Sequence, residues 1–281
     1  NSGFEFDLNV KLIQKKDWYW DMSVNGYTYA NKMLNLPDEY KVSGMPNGNQ
    51  RIYEGKDIYR WEMRQFAGLD EKGNSLWYMD RDLTDGEGNV VGVEKVTTGD
   101  ATEATQYLLE KSALPDFTGG LNTTLRWKSL DLTIMTNFQF GGYGYDYDFS
   151  AFSSANFPMN RLKNYADAWN PETGKGSAPI WNTNDSNINA SSDRFLISKT
   201  YFNLRNITLG YTFPANWMSK IGIKSVRVYF ACDNVFFASK RKGYDPRTSM
   251  GGQGATVALN SVDGTYYSPI RTTSVGLNIN F

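Results

Sequence analysis

The stretch Phe4-Glu5-Phe6-Asp7-Leu8-Asn9-Val10-Lys11-Leu12 decides the fold class, because every even position is apolar and every odd position is polar. Alternation with period two places all the apolar side chains on one face of a β-strand. Lys16-Asp17 then predicts a short turn, and the most apolar residues from Trp18 onward again stand on even positions. Residues 3–15 and 18–29 are therefore a predicted β-hairpin with one apolar and one polar face.

Five further stretches alternate in the same way. In one of them, Leu132, Ile134 and Phe138 share a face that is opposite to Asn137 and Gln139. These predicted strands lie near residues 117–127, 130–140, 200–213, 225–235 and 268–281. Three of the six connections are short, and the other three are long, near residues 30–116, 141–199 and 236–267. Because every second connection is short, all the short ones lie at one end of the predicted antiparallel sheet.

Composition excludes several classes of function. The chain has no His and one Cys, so Ser-His-Asp and Cys-His catalysis, His-ligated zinc and internal disulfides are excluded. Its 29 Lys plus Arg against 30 Asp plus Glu give no basic surface for nucleic acid. No run of about 18 apolar residues occurs, which excludes a transmembrane helix. A soluble all-β protein, a carboxylate-based enzyme and an outer-membrane β-barrel all stay possible at this point.

Three observations favour the membrane barrel. Short turns at one end and long loops at the other are typical of outer-membrane barrels. Trp18, Trp127 and Phe213 lie beside short connections, whereas Phe138 and Phe140 lie near a long one, as aromatic girdles at two lipid–water boundaries require. The row of alternating apolar residues that closes on a terminal Phe resembles the assembly signal of bacterial outer-membrane barrels. The alternative is a soluble β-rich glycan-binding or glycan-cleaving protein.

The number of strands predicts that the chain is part of a larger barrel. If the short turns face the periplasm, seven strands begin on the extracellular side, whereas single-chain bacterial barrels have an even number of strands. A barrel must also close, because an open sheet edge in lipid leaves backbone groups unpaired. We therefore expect the chain to be the C-terminal part of a larger barrel.

A set of short segments in a fixed order is the most specific feature of the sequence. They lie at residues 1–6, 54–59, 67–70, 76–78, 111–121, 204–211, 227–229, 233–236, 243–246 and 271–277. In their order and spacing they resemble the C-terminal third of SusC/RagA-type TonB-dependent transporters of the Bacteroidetes outer membrane. The match covers nearly the whole chain and is weakest in the long loops.

The resemblance implies a 22-stranded barrel of which these strands are the last seven. It also implies an N-terminal plug, a SusD-like surface lipoprotein as a cap, and energy supplied through TonB by a segment near the N-terminus. The plug and that segment would lie outside these 281 residues. The implied activity is import of oligosaccharides, or of peptides, across the bacterial outer membrane, and the chain is not expected to be an enzyme or to hold a cofactor.

Aromatic residues in the long loops are the candidate ligand-binding residues, because sugar rings stack on Trp and Tyr faces. The same rings can equally pack the loops together or contact the lipoprotein. The candidates are Trp61, Trp77, Tyr78, Tyr143, Tyr145, Trp169 and Trp181. On the inner face of the barrel, Asn122, Arg126, Asn137 and Gln139 are expected to line a polar lumen.

The loops carry a few further expectations. Residues 58–67 are a predicted strand, and residues 102–111 and 160–169 are predicted helices. Asp80 to Gly88 is acidic like a calcium loop, but its fifth and sixth positions, Thr84 and Asp85, do not fit the EF-hand register. A solvated turn is expected there, with no metal site.

Overall fold

The computed structural model describes residues 1–153, 167–181, 185, 187–240 and 269–281. Within these residues it forms sixteen antiparallel strands and a few short helical turns. The sixteen strands are β1 (Ser2–Gln14), β2 (Trp18–Ala30), β3 (Met45–Asn47), β4 (Gln50–Ile52), β5 (Arg60–Arg64), β6 (Phe66–Leu69), β7 (Ser75–Thr84), β8 (Val90–Thr98), β9 (Gln106–Ser112), β10 (Pro115–Trp127), β11 (Leu130–Gly141), β12 (Tyr143–Tyr145), β13 (Leu196–Ser198), β14 (Tyr201–Thr212), β15 (Ser225–Ser239) and β16 (Thr272–Asn280). The α-helices are α1 (Tyr147–Phe152) and α2 (Ala215–Met218), and 3₁₀ turns cover Asp38–Tyr40, Asp193–Phe195 and Ser219–Ile221.

Seven strands form one sheet, here called the wall, in the order β1-β2-β10-β11-β14-β15-β16. Each wall strand pairs with the next wall strand along the chain, and every pair is antiparallel. The sheet is therefore a simple meander. The short connections β1–β2, β10–β11 and β14–β15 lie at one end, the short-turn end, and the long connections leave from the other, the loop end. This arrangement confirms the antiparallel all-β fold that the alternation predicts.

The described parts of the first two long connections are folded rather than irregular. The first contains a four-stranded sheet, β3-β4-β5-β9, and a three-stranded sheet, β6-β7-β8. The second contributes α1 and the two-stranded ribbon β12-β13. The described parts of residues 31–114 and 142–200 together are called the loop body.

The two tight turns of the β6-β7-β8 sheet have the same hydrogen-bond pattern. In Asp70-Glu71-Lys72-Gly73-Asn74, the Asp70 carboxylate accepts hydrogen bonds from the backbone N–H groups of Lys72 (2.8 Å) and Asn74 (2.7 Å). Asp85-Gly86-Glu87-Gly88-Asn89 repeats this pattern with both distances at 2.9 Å. The glycines at the fourth position have φ of +82° and +86°, which other residues rarely adopt. The acidic stretch from Asp80 thus divides into a strand end and a tight turn.

Two local predictions for the loops are wrong in detail. Residues 106–112 form β9, not a helix, because their backbone pairs with β5 and buries Leu109 in the loop body. The strand predicted at 58–67 is two strands, β5 and β6, which belong to different sheets. The helix predicted at 160–169 falls largely outside the described residues. At its end, Ala168 forms a parallel β-bridge with Ala178, and the Trp169 N–H donates to the Ala178 carbonyl (2.8 Å).

The apolar core lies in the loop body, not in the wall. Among the described residues, the buried hydrophobic side chains belong to the loop body with the exceptions of Tyr201 and Cys232. One cluster surrounds Trp61 and Phe195, and a second surrounds Trp77. In the described part of the chain, no helix is both long and apolar enough to cross a membrane.

Candidate functional site

The apolar side of the wall, its outer face, is exposed along all seven strands. Large apolar residues on this face are solvent-exposed: the exposed fraction is 67% for Phe4, 46% for Phe230 and 78% for Val275. A soluble sheet buries such a face against a second layer, because burial of apolar area is what stabilises it. No described element covers this face, and its apolar side chains suit contact with the hydrocarbon chains of lipids.

Aromatic side chains on the outer face are concentrated at two levels. Near the loop end, the rings of Phe4, Phe6, Phe117, Phe138 and Phe140 follow one another across four strands, with centroids 5.6 to 6.4 Å apart. Near the short-turn end, Trp18 stacks on Trp127 at 5.7 Å and Tyr211 meets Phe213 at 5.2 Å. These are the two girdles that the sequence predicts.

The distance between the levels matches a bilayer. Phe117 and Trp127 are ten residues apart in β10. At about 3.3 Å per residue and a strand tilt of about 40°, they are separated by about 25 Å along the membrane normal. An apolar band about 25 Å tall is typical of outer-membrane barrels.

Three polar side chains on the outer face form hydrogen bonds within the wall. The indole N–H of Trp20 donates to Thr123 Oγ1 (2.9 Å), and that hydroxyl donates to the carbonyl of Asp21 (2.7 Å). Thr136 donates to the carbonyl of Leu121 (2.9 Å). Such bonding matters in lipid, where an unpaired polar group costs several kcal/mol.

The other side of the wall, its inner face, is polar. Asn122, Arg126, Asn137 and Gln139, which the sequence places in a lumen, alternate with the outer-face residues of β10 and β11. The Asn203 amide, 1% exposed, donates to Asn137 Oδ1 (2.8 Å), and Gln139 donates to the carbonyl of Lys199 (3.4 Å).

A cavity of about 310 Å³ opens on the inner face near mid-height. Its lining includes the inward side chains of Asn9, Lys11, Tyr19, Asp21 and Asn122. The inner face therefore offers amides, hydroxyls and charged groups, which suit water and polar solutes.

The two long loops hold each other through side-chain and backbone hydrogen bonds. Trp61 Nε1 donates to the carbonyl of Tyr143 (3.2 Å), and the backbone N–H of Phe66 donates to Asp193 Oδ1 (2.9 Å). The backbone N–H of Ile180 reaches the carbonyl of Gly73 at 2.8 Å. The loop body is thus one packed unit at the loop end of the wall.

The seven candidate aromatic residues lie in different environments. Trp61 (1% exposed), Trp77 (0%) and Tyr145 (5%) are enclosed in the two clusters of the loop body. Their rings present no open face for a ligand and hold the loops together. Tyr78, Tyr143 and Trp169 are half-buried, and Trp181 is 46% exposed. The structure does not gather the seven into one pocket, and their contact with substrate stays a prediction.

One aromatic arrangement is seen only in the structure. Lys95 Nζ lies 4.4 Å from the centroid of Tyr78 and 4.3 Å from that of Tyr107, and it donates to Gln65 Oε1 at 2.6 Å. Burial and the hydrogen bond to Asp80 raise the pKa of Tyr107 to about 12. The Val and Thr content of residues 90–98 favours a strand, but no local pattern places Tyr107 beside Lys95.

The acidic segment lacks the features of a cation site. Hydrogen bonds from Asn89 and Glu87 occupy the Asp85 carboxylate and hold its pKa below the ordinary value. Within the described residues, no group of three or more Cys, Asp or Glu side chains converges as metal ligands would.

A single-layer meander with a lipid-facing outer side, a polar inner side and long folded loops at one end defines the wall of a transmembrane β-barrel. Comparisons with known proteins agree. The chain is 25% identical over 302 residues to the TonB-dependent receptor P3 of Formosa agariphila, and 26% identical over 288 residues to the TonB-dependent receptor SusC of Bacteroides thetaiotaomicron. These alignments cover all of this chain and 28% and 26% of the relatives, respectively.

The fold agrees with a solved structure of the RagAB peptide transporter, with a TM-score of 0.75 at 24% identity over 99% of this chain and 29% of that one. No family model matches the chain. The predicted resemblance to SusC/RagA-type TonB-dependent transporters is confirmed. Proteins of this type are receptors and transporters rather than enzymes, and their location is the outer membrane, as the sequence predicts.

Proposed function

We propose that the chain forms the last part of the barrel wall, with its extracellular loops, in an active outer-membrane transporter of the SusC/RagA type. The observation that carries the proposal is the division of one sheet into a girdled apolar face and a polar face, on a chain similar to TonB-dependent receptors over its whole length. The chain spans less than a third of the relatives that it matches. The seven wall strands are accordingly proposed as the last seven of 22.

The proposed substrate is an oligosaccharide or a peptide. The inner face supports a polar solute, because its amides and hydroxyls can exchange hydrogen bonds with hydroxyl or peptide groups. The loop body supplies Tyr78, Tyr143, Trp169 and Trp181 as accessible or partly accessible rings. We propose these four as contacts to substrate or to a partner, and the three buried rings as their support.

The proposed partners are a SusD-like surface lipoprotein, TonB, and the plug and remaining strands of the same barrel. A folded loop body suits a lipoprotein cap, because a packed surface loses less conformational entropy on binding than a flexible loop does. TonB would act on the plug, outside the residues described.

The test is deletion of the gene that encodes the complete transporter, with complementation as the control. The deletion strain is expected to lose growth on one oligosaccharide or peptide mixture as sole carbon source, while its growth on the constituent monosaccharides or amino acids is kept. An affinity tag at the Asp85–Asn89 turn should recover a lipoprotein from detergent-solubilised outer membranes. Unchanged growth on every substrate, or recovery of the folded protein from the soluble fraction, would contradict the proposal.

A further inference from the structure

Five side chains form a continuous row across the inner face near the short-turn end, here called the inner belt. They are Tyr19 on β2, Arg126 on β10, Asp131 on β11, and Arg227 and Tyr229 on β15. The Arg126 guanidinium carbon lies 5.2 Å from the Tyr19 ring centroid, and Arg126 stands directly opposite Asp131 in the sheet. Three charged groups thus lie side by side along the row, with an aromatic ring at each end.

The link between Asp131 and Arg227 crosses a whole strand. β14 lies between β11 and β15, yet Arg227 Nε donates to Asp131 Oδ1 at 3.0 Å and Nη2 bonds the second carboxylate oxygen. The ion pair passes over Gly210, which stands opposite both Asp131 and Tyr229. A Cβ atom at Gly210 would lie 2.6 Å from Asp131 Oδ1, so a larger residue there would displace the pair.

A second glycine, Gly276, leaves room for the Tyr229 ring at the end of the inner belt. The Arg227 guanidinium carbon lies 5.2 Å from the Tyr229 ring centroid, and the Tyr229 ring extends over Gly276 on β16. Tyr229 and Gly276 are direct partners in the β15–β16 register. A Cβ atom at Gly276 would overlap the ring, and moving the ring would separate it from Arg227.

Each of these glycines is the only one in its strand. A two-residue slip of β16 keeps its faces but places Ser274 or Asn278 opposite Tyr229, and either Cβ would meet the ring. A one-residue slip turns the apolar row of β16 toward the lumen. β16 has nine residues, and among the described strands it pairs only with β15.

We propose that the inner belt is a register lock. The Asp131–Arg227 pair sets β15 against β11 across Gly210, and the Tyr229 ring then accepts β16 only where Gly276 lies beneath it. The lock would act during assembly of the wall, when β16 pairs with β15 and several registers compete. The proposal rests on the proposed function in one respect, because the first readout is insertion into the outer membrane.

The test compares substitutions in the complete transporter by the fraction that runs as a heat-modifiable, folded band in outer membranes. Gly276→Val is expected to lower this fraction at least threefold, although Val favours strands more than Gly does. Ser274→Val, on the same face of the same strand, is the matched control and should change it less than twofold. Tyr229→Ala combined with Gly276→Val should return to the level of Tyr229→Ala alone, because the obstructing ring is gone.

The yield of a disulfide cross-link between β15 and β16 measures their register independently of transport. Ala231 and Ser274 are partners in the native register, so Ala231→Cys with Ser274→Cys, in a Cys232→Ser background, should form a disulfide in the parent protein. Gly276→Val should lower that yield at least threefold, and Tyr229→Ala should restore it. Additive effects, or equal behaviour of Gly276→Val and Ser274→Val, would overturn the register lock. Absence of the parent protein from outer membranes would instead contradict the proposed function.

Discussion

Replacing Ile134 by Arg is the most direct test of the outer face. Ile134 is in β11, four residues from Leu130 toward the short-turn end and four from Phe138 toward the loop end. It is flanked by Thr123 and Ile207, its partners on the neighbouring strands. At about 3.3 Å per residue and a tilt of about 40°, each end of this span is about 10 Å away along the normal, so Ile134 is near the bilayer midplane.

Arg at the midplane of a barrel costs about 2–4 kcal/mol. Because about 1.4 kcal/mol corresponds to a factor of ten, the ratio of folded to unfolded protein should fall by about 30-fold to 1,000-fold. Met135 is the matched control: it is the next residue in the same strand, points to the inner face and is 38% exposed. Met135→Arg should change the ratio by less than about fivefold, since lumen positions reach water.

The assay is urea-dependent unfolding of both variants in lipid vesicles, followed by the heat-modifiable band on gels. Ile134→Arg should lower the midpoint strongly and Met135→Arg only slightly. Equal stability of the two variants would refute the assignment of the faces, and with it the membrane wall.

Two further predictions concern the loop body. Trp77→Ala should destabilise the β6-β7-β8 region by about 3–5 kcal/mol, because it empties a fully buried site. Protease cleavage between residues 75 and 98 should become faster while the wall stays intact. An unchanged cleavage rate would contradict the packing of Trp77. Hydrogen bonds from Asn89 and Glu87 lower the pKa of Asp85 in the folded turn, so the stability that they contribute is present above the ordinary Asp value of 3.8 and is lost as pH falls through the lowered pKa. Amide hydrogen exchange at Glu87 and Asn89 should therefore lose protection, after correction for intrinsic rates, only below that pH, and Asp85→Ala should remove the protection at every pH.

The sequence was sufficient for the wall because its determinants are local. Alternation from Phe4 to Leu12 fixes which face is apolar without knowledge of any neighbour, and the short turns fix three of the six strand pairs. The girdles follow from the same pattern, since Trp18 and Trp127 lie at corresponding positions beside turns. The turns that begin at Asp70 and Asp85 are likewise local, because each depends on an Asp-x-x-Gly-Asn sequence of five residues.

The loop body could not be predicted in the same way. Residues 106–112 carry a composition compatible with a helix, and pairing with β5 overrides that preference. Trp61, Trp77 and Tyr145 look like Trp181 in sequence, yet burial separates structural rings from accessible ones. That separation depends on contacts between two loops that are distant along the chain.

The sequence by itself therefore determined a membrane-type sheet, its two faces and its two ends, because period two and turn chemistry act over a few residues. Tertiary structure alone decided the inner belt, in which Asp131 and Arg227 are 96 residues apart and meet across a third strand. Such a contact needs the register of three strands at once, and a glycine at the crossing point, which no local pattern specifies.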